Sequence, residues 1–125
     1  PLGRGLLTDL PPDGAKYGEH PWMSANPRFV APNLAANLEA TAPLRDLAKS
    51  LGVSTAALAL RGGYEQGEHI VAIPGTRSAA RFREYLAAES IPAAAVEEAG
   101  RLLPPGWAHG DRYSAAQWSG PENYC

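Results

Sequence analysis

The middle of the chain has apolar residues at the spacing of an amphipathic helix. This pattern predicts a helix from Asn33 to about Leu51, with Asn33 as its N-cap and Gly52 marking its carboxyl end. Pro43 lies inside the segment and is expected to kink or divide the helix, because proline lacks a backbone N–H. The predicted inner face consists of Leu34, Leu38, Leu44, Leu47, Ala48 and Leu51.

A second helix is predicted directly after the first. Ser54 is a suitable N-cap, and the alanine and leucine residues that follow favour a helix from Thr55 to about Gln66. Gly62 and Gly63 interrupt this pattern, and each costs roughly 1 kcal/mol relative to alanine in a helix.

The pattern then changes to that of a strand followed by two helices. A short apolar run predicts a buried strand at Ile70–Ile73, and the helices are predicted at Ser78 to about Glu89 and at Ala93 to about Leu103. The tail beyond them is rich in glycine, proline and aromatic residues. Trp107 and Trp118 are expected to pack this tail against the rest of the chain.

The amino-terminal quarter has no sustained periodicity. Pro1–Leu7 is interpreted as a strand end followed by a tight turn, since two glycines flank Arg4 ahead of an apolar pair. Residues 8–33 contain many prolines and predict a long surface loop. Trp22, Met23 and Phe29 are expected to fasten this loop to an apolar surface.

The order of strand, loop, paired helices, strand, helix and helix predicts an α/β fold with two short parallel strands. Two parallel strands are not a stable sheet, so neighbouring strands are expected to be missing from this chain. The chain also starts at Pro1 rather than at a methionine, as a cut end would. Residues 1–125 are therefore interpreted as one partial domain, with divisions at 1–7, 8–33, 34–67, 70–89 and 93–125.

Composition and charge exclude several classes of protein. The net charge of −2 and the scattered basic residues argue against nucleic acid as a partner. No apolar run is long enough for a membrane span, and the amino end does not resemble a signal peptide, so a cytoplasmic protein without membrane partners is expected. Cys125 is the only cysteine, which excludes a disulfide framework.

The connection between the predicted strand at 70–73 and the next helix is the best candidate for binding chemistry. Arg77, Arg81 and Glu84 lie along one helix face near free backbone N–H groups, an arrangement that suits a phosphate. Ser78 as N-cap and an exposed Arg81–Glu84 ion pair would equally fit a plain strand-to-helix connection. The Gly3-Arg4-Gly5 turn has the same two interpretations, because Gly-x-Gly turns are common.

The chain offers no reactive group of its own. His20, His69 and His109 are far apart in sequence and lie near no cysteine, so no metal site is predicted. No serine occupies a nucleophile-elbow pattern, and no Walker or Rossmann glycine pattern is present. No catalytic residue is therefore assigned.

Taken in order, these segments resemble the carboxyl-terminal part of an aldo-keto reductase. The resemblance implies a (β/α)8 TIM barrel that binds NADP(H) at the carboxyl ends of its strands and reduces aldehydes or ketones by hydride transfer. IPGTRS with its following Arg and Glu is the most specific of the matching segments. These are PLGRGLLT at 1–8, NPRF at 26–29, NL at 33–34, LALRGGYEQG at 58–67, IVAIPGTRSAARFREYLAA at 70–88 and GDRY at 110–113.

The resemblance also assigns roles to individual residues. Leu2, Gly3, Arg4 and Gly5 would lie along the cofactor's pyrophosphate. Gly75, Thr76, Arg77 and Arg81 would hold the adenosine 2′-phosphate, and Glu84 would contact the adenine amino group. Tyr85 stands where the family usually has asparagine, and its ring could stack on the adenine instead.

The family's catalytic Asp, Tyr, Lys and His lie in earlier strands than those matched here. The chain alone is therefore expected to be inactive as a reductase and to contribute cofactor contacts only. Two alternatives stay open. One is a non-catalytic module that pairs with a second copy or another protein, and the other is a small binder of a nucleotide phosphate.

Overall fold

The structure is a computed structural model that describes residues 2–11, 13–14 and 18–119, with the side chains of Trp22 and Ser119 outside the description. Four helices dominate: α1 (Asn33–Ser50), α2 (Thr55–Tyr64), α3 (Ala79–Leu86) and α4 (Ala93–Leu102). In the described part of the chain, no helix is both long and apolar enough to cross a bilayer. Shorter helical turns occupy Gly3–Gly5, Pro21–Ser24, Pro27–Phe29, Ala87–Ser90 and Gln117–Ser119.

Helix α1 is continuous through Pro43, so of the two expected effects of the proline, a kink or a division, the division does not occur. The turn before the proline gains side-chain hydrogen bonds. The Thr41 hydroxyl donates to the carbonyl of Asn37 at 2.9 Å, and the Arg45 guanidinium donates to the carbonyl of Leu38 at 2.7 Å. Because proline removes the N–H that would donate to the carbonyl of Glu39, these bonds reinforce the preceding turn and do not replace the lost bond.

The start and the inner face of α1 differ from the prediction. Pro32 precedes the helix, and Asn33 is its first residue, whose amide donates instead to the carbonyl of Pro27 at 2.9 Å. Leu51 was expected on the inner face but is 39% exposed, because the chain has already left the helix and turns through Gly52 at a φ of 68°. The buried face is formed by Leu34, Asn37, Thr41, Leu44 and Ala48.

Helix α2 is the central element of the core. The Ser54 hydroxyl accepts a hydrogen bond from the N–H of Ala57 at 3.1 Å, which confirms the predicted N-cap. The carboxylate of Asp9 accepts from both the N–H and the hydroxyl of the buried Thr55, at 2.9 and 2.6 Å. The helix contacts α1, α3, α4 and the turn at 87–90, and it ends at Tyr64, two residues earlier than expected.

A second, smaller apolar cluster joins the amino end to the loop and the tail. Leu6, Phe29 and Leu34 are its buried members, and partly buried side chains, among them Met23 and Trp107, pack around them. The packing expected of Met23, Phe29 and Trp107 is thus present. The expectation for Trp22 falls on a side chain outside the described part of the structure. Pro1 and Cys125 also lie outside it.

Neither predicted strand forms in the described part of the chain. Gly3–Gly5 is a single 3₁₀ turn, and residues 70–76 have no regular secondary structure. Residues 71–79 still alternate between exposed and half-buried positions, as a strand would, and Val71 and Ile73 are 81% and 88% exposed. A parallel strand needs ladder partners on its edges, and none is available here. The predicted helical content is correct, whereas the two parallel strands are a wrong prediction.

Candidate functional site

A cavity of about 650 Å³ opens between the two ends of the chain. Its walls come from the turn at residues 2–8, the loop at 28–29, residues 73–85 and the tail. Helix α3 and the connection before it therefore face the amino-terminal turn, as expected if the two glycine-containing segments serve one site. The lining residues are Leu2, Gly3, Arg4, Gly5, Leu6, Thr8, Arg28, Phe29, Ile73, Pro74, Gly75, Arg81, Tyr85, Trp107 and Arg112.

Most residues proposed from the sequence for cofactor binding meet at this cavity. Glu84 lines a smaller cavity of about 190 Å³, which shares Arg81 and Tyr85 with the larger one. Thr76 and Arg77 line neither. The predicted cofactor contacts that line the larger cavity are Leu2, Gly3, Arg4, Gly5, Gly75, Arg81 and Tyr85.

The amino-terminal turn holds an unusual backbone. Gly3, Arg4 and Gly5 all have positive φ values, of 56°, 54° and 100°. For Arg4, which has a Cβ atom, this left-handed conformation costs about 1–2 kcal/mol. Two hydrogen bonds to the carbonyl of Leu2 close the turn, from the N–H groups of Gly5 at 2.9 Å and Leu7 at 3.2 Å. Backbone strain of this kind concentrates at binding sites, where the surrounding structure enforces it.

Helix α3 begins beside the cavity. The Ser78 hydroxyl accepts from the N–H of Arg81 at 3.4 Å, and the Thr76 hydroxyl accepts from the N–H of Ser78 at 3.2 Å. Thr76 thus shapes the turn rather than the cavity wall. Arg81 lies in the first turn of the helix and lines both cavities, whereas Arg77 is exposed outside them. Tyr85 is 8% exposed, and it belongs to the main core while lining both cavities.

The cavity has a strongly cationic lining. Four arginines contribute to it, namely Arg4, Arg28, Arg81 and Arg112, and no carboxylate, histidine or thiol does so among the described residues. Burial lowers the pKa of Arg28, the neighbouring charges of Arg112 and Arg4 lower it further, and Asp111 acts in the opposite direction. Like charges placed this close together favour an anionic ligand.

Arg28, Trp107 and Arg112 were not among the residues predicted for the site. Arg28 lies within the NPRF segment and Arg112 within GDRY, so both matching segments already contained the signal. Their meeting depends on a tail that returns across more than eighty residues. The Arg28 Nε donates to the carbonyl of Gly110 at 3.2 Å, which joins the two segments directly.

Aromatic rings support the cationic side of the cavity. The guanidinium groups of Arg4 and Arg112 lie 5.2 and 5.4 Å from the ring centroid of Tyr113. Trp118 meets the same ring edge-on, with centroids 5.2 Å apart. The Arg4 side chain also donates to the carbonyl of Arg112 at 3.3 Å. Tyr113 therefore anchors the tail next to the amino-terminal turn.

The arrangement is suited to binding an anion. Thr8 and Tyr85 supply the lining hydroxyl groups, and the remaining side chains are cationic or apolar. Across the described residues, no three His, Cys, Asp or Glu side chains gather as metal ligands would. The chemistry available here is recognition of a negatively charged, partly apolar molecule.

Sequence comparisons show which known proteins this chain is similar to. The chain is 29% identical to Probable aldo-keto reductase 1 of Glycine max over 113 residues, 89% of this chain and 31% of that protein. It is 29% identical over 91 residues to aldo-keto reductase yakc of Schizosaccharomyces pombe, whose name specifies NADP(+), and to aldo-keto reductase str7 of Strobilurus tenacellus. Each of these two matches covers 73% of this chain and 27% of the relative.

The chain thus spans less than a third of the length of these curated relatives. No solved structure matches it significantly. The sequence model described as Aldo/keto reductase family matches residues 1–101, which is most of the chain. This protein therefore belongs to the aldo/keto reductase family, a family of oxidoreductases.

Proposed function

We propose that this chain forms the cofactor-binding part of an NADP-dependent aldo-keto reductase that converts aldehydes or ketones to alcohols. The observation that carries the proposal is the cavity lined by Arg4, Arg28, Arg81 and Arg112 without any carboxylate. NADP carries a 2′-phosphate and a diphosphate, so it needs cationic groups at two places. When bound, the nicotinamide supplies the hydride for the reaction.

The adenosine end of the cofactor fits the start of α3. Arg81 lines both cavities and would pair with the 2′-phosphate, aided by Arg77 from the preceding turn. Glu84 lines the smaller cavity next to Tyr85, where an adenine amino group would find a carboxylate acceptor and an aromatic neighbour. The diphosphate would lie along the turn that contains Arg4.

Titration of the chain with 2′-phospho-AMP tests the adenosine assignment. Arg81→Ala removes a charge-assisted pair with the phosphate, so we expect its dissociation constant to rise by about tenfold or more. Arg83→Ala is the matched control, because Arg83 is exposed on the same helix and lines neither cavity. AMP, which lacks the 2′-phosphate, should bind both variants alike. Equal affinity of the two variants for 2′-phospho-AMP contradicts the assignment.

The isolated chain is proposed to be inactive as a reductase. The family resemblance assigns the catalytic Asp, Tyr, Lys and His to strands earlier than those matched here, and carbonyl reduction requires such a general acid. Purified chain mixed with NADPH and a generic aldehyde should leave the absorbance of NADPH unchanged relative to a mock preparation. NADPH oxidation above the mock rate, abolished by Arg81→Ala, would show that the chain holds its own catalytic groups.

Self-association is a second candidate function, favoured by the exposure of Val71 and Ile73. Their segment keeps the alternation of a strand, so a second copy could pair with it and cover both side chains. Light scattering over a range of concentrations would then give a mass above that of the monomer. Ile73→Lys should restore the monomer, while Leu51→Lys, at an exposed position after α1, should not. A monomer at every concentration rules this function out.

A further inference from the structure

The carboxyl-terminal tail is built into the cavity wall through Trp107 and Arg112. The tail has no helix before Gln117–Ser119 that could set this position. Its placement depends instead on hydrogen bonds to residues about seventy to ninety positions earlier. This attachment places Trp107 and Arg112 at the cavity.

Two fully buried asparagines make the attachment. The Asn26 side chain accepts from the N–H of Arg28 at 3.1 Å and donates to the carbonyl of Arg112 at 2.8 Å. The Asn37 amide donates to the carbonyls of Arg28 and His109, at 3.0 and 2.9 Å, and its oxygen accepts from the N–H of His109 at 2.7 Å. Asn26 therefore joins the backbone of Arg28 to that of Arg112, and Asn37 joins the backbone of Arg28 to that of His109.

Buried amides are costly unless every polar atom finds a partner, and both asparagines are 0% exposed. Apolar side chains at these positions would pack the loop and the tail without fixing their register. The amides fix the register to within the tolerance of a hydrogen bond. The register they select sets the backbones of Arg28 and Arg112 side by side at the cavity.

In the unliganded chain the charges of Arg112 and Arg4 lower the pKa of Arg28, and the charge of Asp111 offsets part of that repulsion by raising it. Among the described residues, neither Arg28 nor Arg112 forms an ion pair with a carboxylate. Arg28 is half-buried, and its Nε is fixed on the carbonyl of Gly110. A second guanidinium next to it adds a repulsion that raises the free energy of the chain. An anion bound between the two groups would attract both and so offset this repulsion.

We propose that Arg112 of the tail, together with Arg28, binds phosphate oxygens at a subsite separate from the one at Arg81, and that Asn26 and Asn37 are its positioning residues. A phosphate group there has two conceivable sources. It belongs either to the cofactor's diphosphate, in which case the inference rests on the proposed function, or to a separate phosphate-bearing ligand.

Isothermal titration of the chain with NADP+, 2′-phospho-AMP and inorganic pyrophosphate separates these cases. Arg112→Ala is the test variant, since the side chain is exposed and its removal leaves the backbone hydrogen bonds in place. Arg101→Ala is the control, because Arg101 pairs with Glu98 on α4 away from the cavity. We expect Arg112→Ala to weaken pyrophosphate binding about tenfold and to change 2′-phospho-AMP binding by less than twofold.

The NADP+ titration identifies the source of the phosphate. A comparable loss for NADP+ supports the subsite and assigns it to the cofactor's diphosphate. A loss for pyrophosphate alone supports the subsite and assigns it to a separate ligand. If Arg112→Ala and Arg101→Ala bind pyrophosphate and NADP+ equally, the subsite is overturned, while the Arg81 test of cofactor binding keeps its own result.

A double-mutant cycle tests the positioning role. Asn26→Ala should weaken pyrophosphate binding in the parent chain and have little further effect in the Arg112→Ala background, because it acts by placing that arginine. Circular dichroism identifies any variant that has lost its helices. An equal loss in both backgrounds, with the helices retained, would mean that Asn26 only stabilises the fold and would overturn its positioning role.

Discussion

Gly110 lies close against Pro27 and Asn33, and its substitution by alanine should release the tail. A Cβ atom at this position would lie 2.7 Å from the carbonyl oxygen of Pro27 and 2.7 Å from the amide nitrogen of Asn33. Its φ of 85° is also unfavourable for a residue with a side chain. Gly106 provides the matched control, since its φ is 86° but a Cβ there would meet nothing within 4 Å.

The two variants share one cost and differ in another. Left-handed backbone costs about 1–2 kcal/mol for alanine at either position. At Gly110 the overlap must also be relieved by moving a backbone carbonyl, which breaks the bond from Asn33 to Pro27 and the bond from Arg28 to Gly110. At about 1 kcal/mol for each net hydrogen bond, Gly110→Ala should cost about 3–4 kcal/mol against about 1–2 kcal/mol for Gly106→Ala.

Urea unfolding followed by far-ultraviolet circular dichroism measures both values. If the tail detaches before the helices unfold, amide exchange will show it as faster exchange at residues 107–113 in Gly110→Ala than in Gly106→Ala. Losses of free energy of unfolding that agree within about 0.5 kcal/mol, together with equal exchange in the tail, would refute the argument from close approach.

Three further predictions concern α2. Gly63→Ala should raise the free energy of unfolding by about 1 kcal/mol, because the residue is helical and a Cβ there would meet nothing within 4 Å; thermal unfolding that is unchanged or lowered would contradict this. Ser54→Ala removes the N-cap acceptor of the Ala57 N–H and should lower stability by about 1 kcal/mol, measured by urea titration, whereas Ser54→Asp should preserve it. Asp9→Ala leaves the buried N–H and hydroxyl of Thr55 without their acceptor, and chemical denaturation should show a loss of about 2 kcal/mol; a loss below about 0.5 kcal/mol would mean that water replaces the carboxylate.

Local features were predictable where local chemistry decides them. Ser54 and Ser78 were predicted as N-caps from their position ahead of helical sequence, and both side chains accept the expected N–H. The apolar run at Ile70–Ile73 was predicted as a strand, but a strand is defined by its neighbours, and the described chain supplies none. A pattern within one segment cannot reveal whether its partner is present.

The candidate site likewise contains some residues placed by local sequence and others placed by contacts with distant parts of the chain. The place of Arg81 in the first turn of α3 is a local property, which the sequence predicted. The position of Arg112 at the cavity instead involves hydrogen bonds between Asn26 or Asn37 and tail residues that lie 72 to 86 positions away. Asn37 occupies a position on α1 where the periodicity favoured apolar side chains, so the sequence pattern gave no reason to expect a buried amide there.

The cavity walls come from residues near both ends of the described chain, from Leu2 to Arg112. A ligand that contacts all of these walls would stabilise both ends against local opening by the same free energy. At concentrations well above the dissociation constant, this free energy grows with the logarithm of the ratio of ligand concentration to dissociation constant. Amide exchange at the amino-terminal turn and in the tail would then slow in parallel as the ligand is added. Occupancy of the site could in this way be measured at either end of the chain, without any optical signal from the ligand itself.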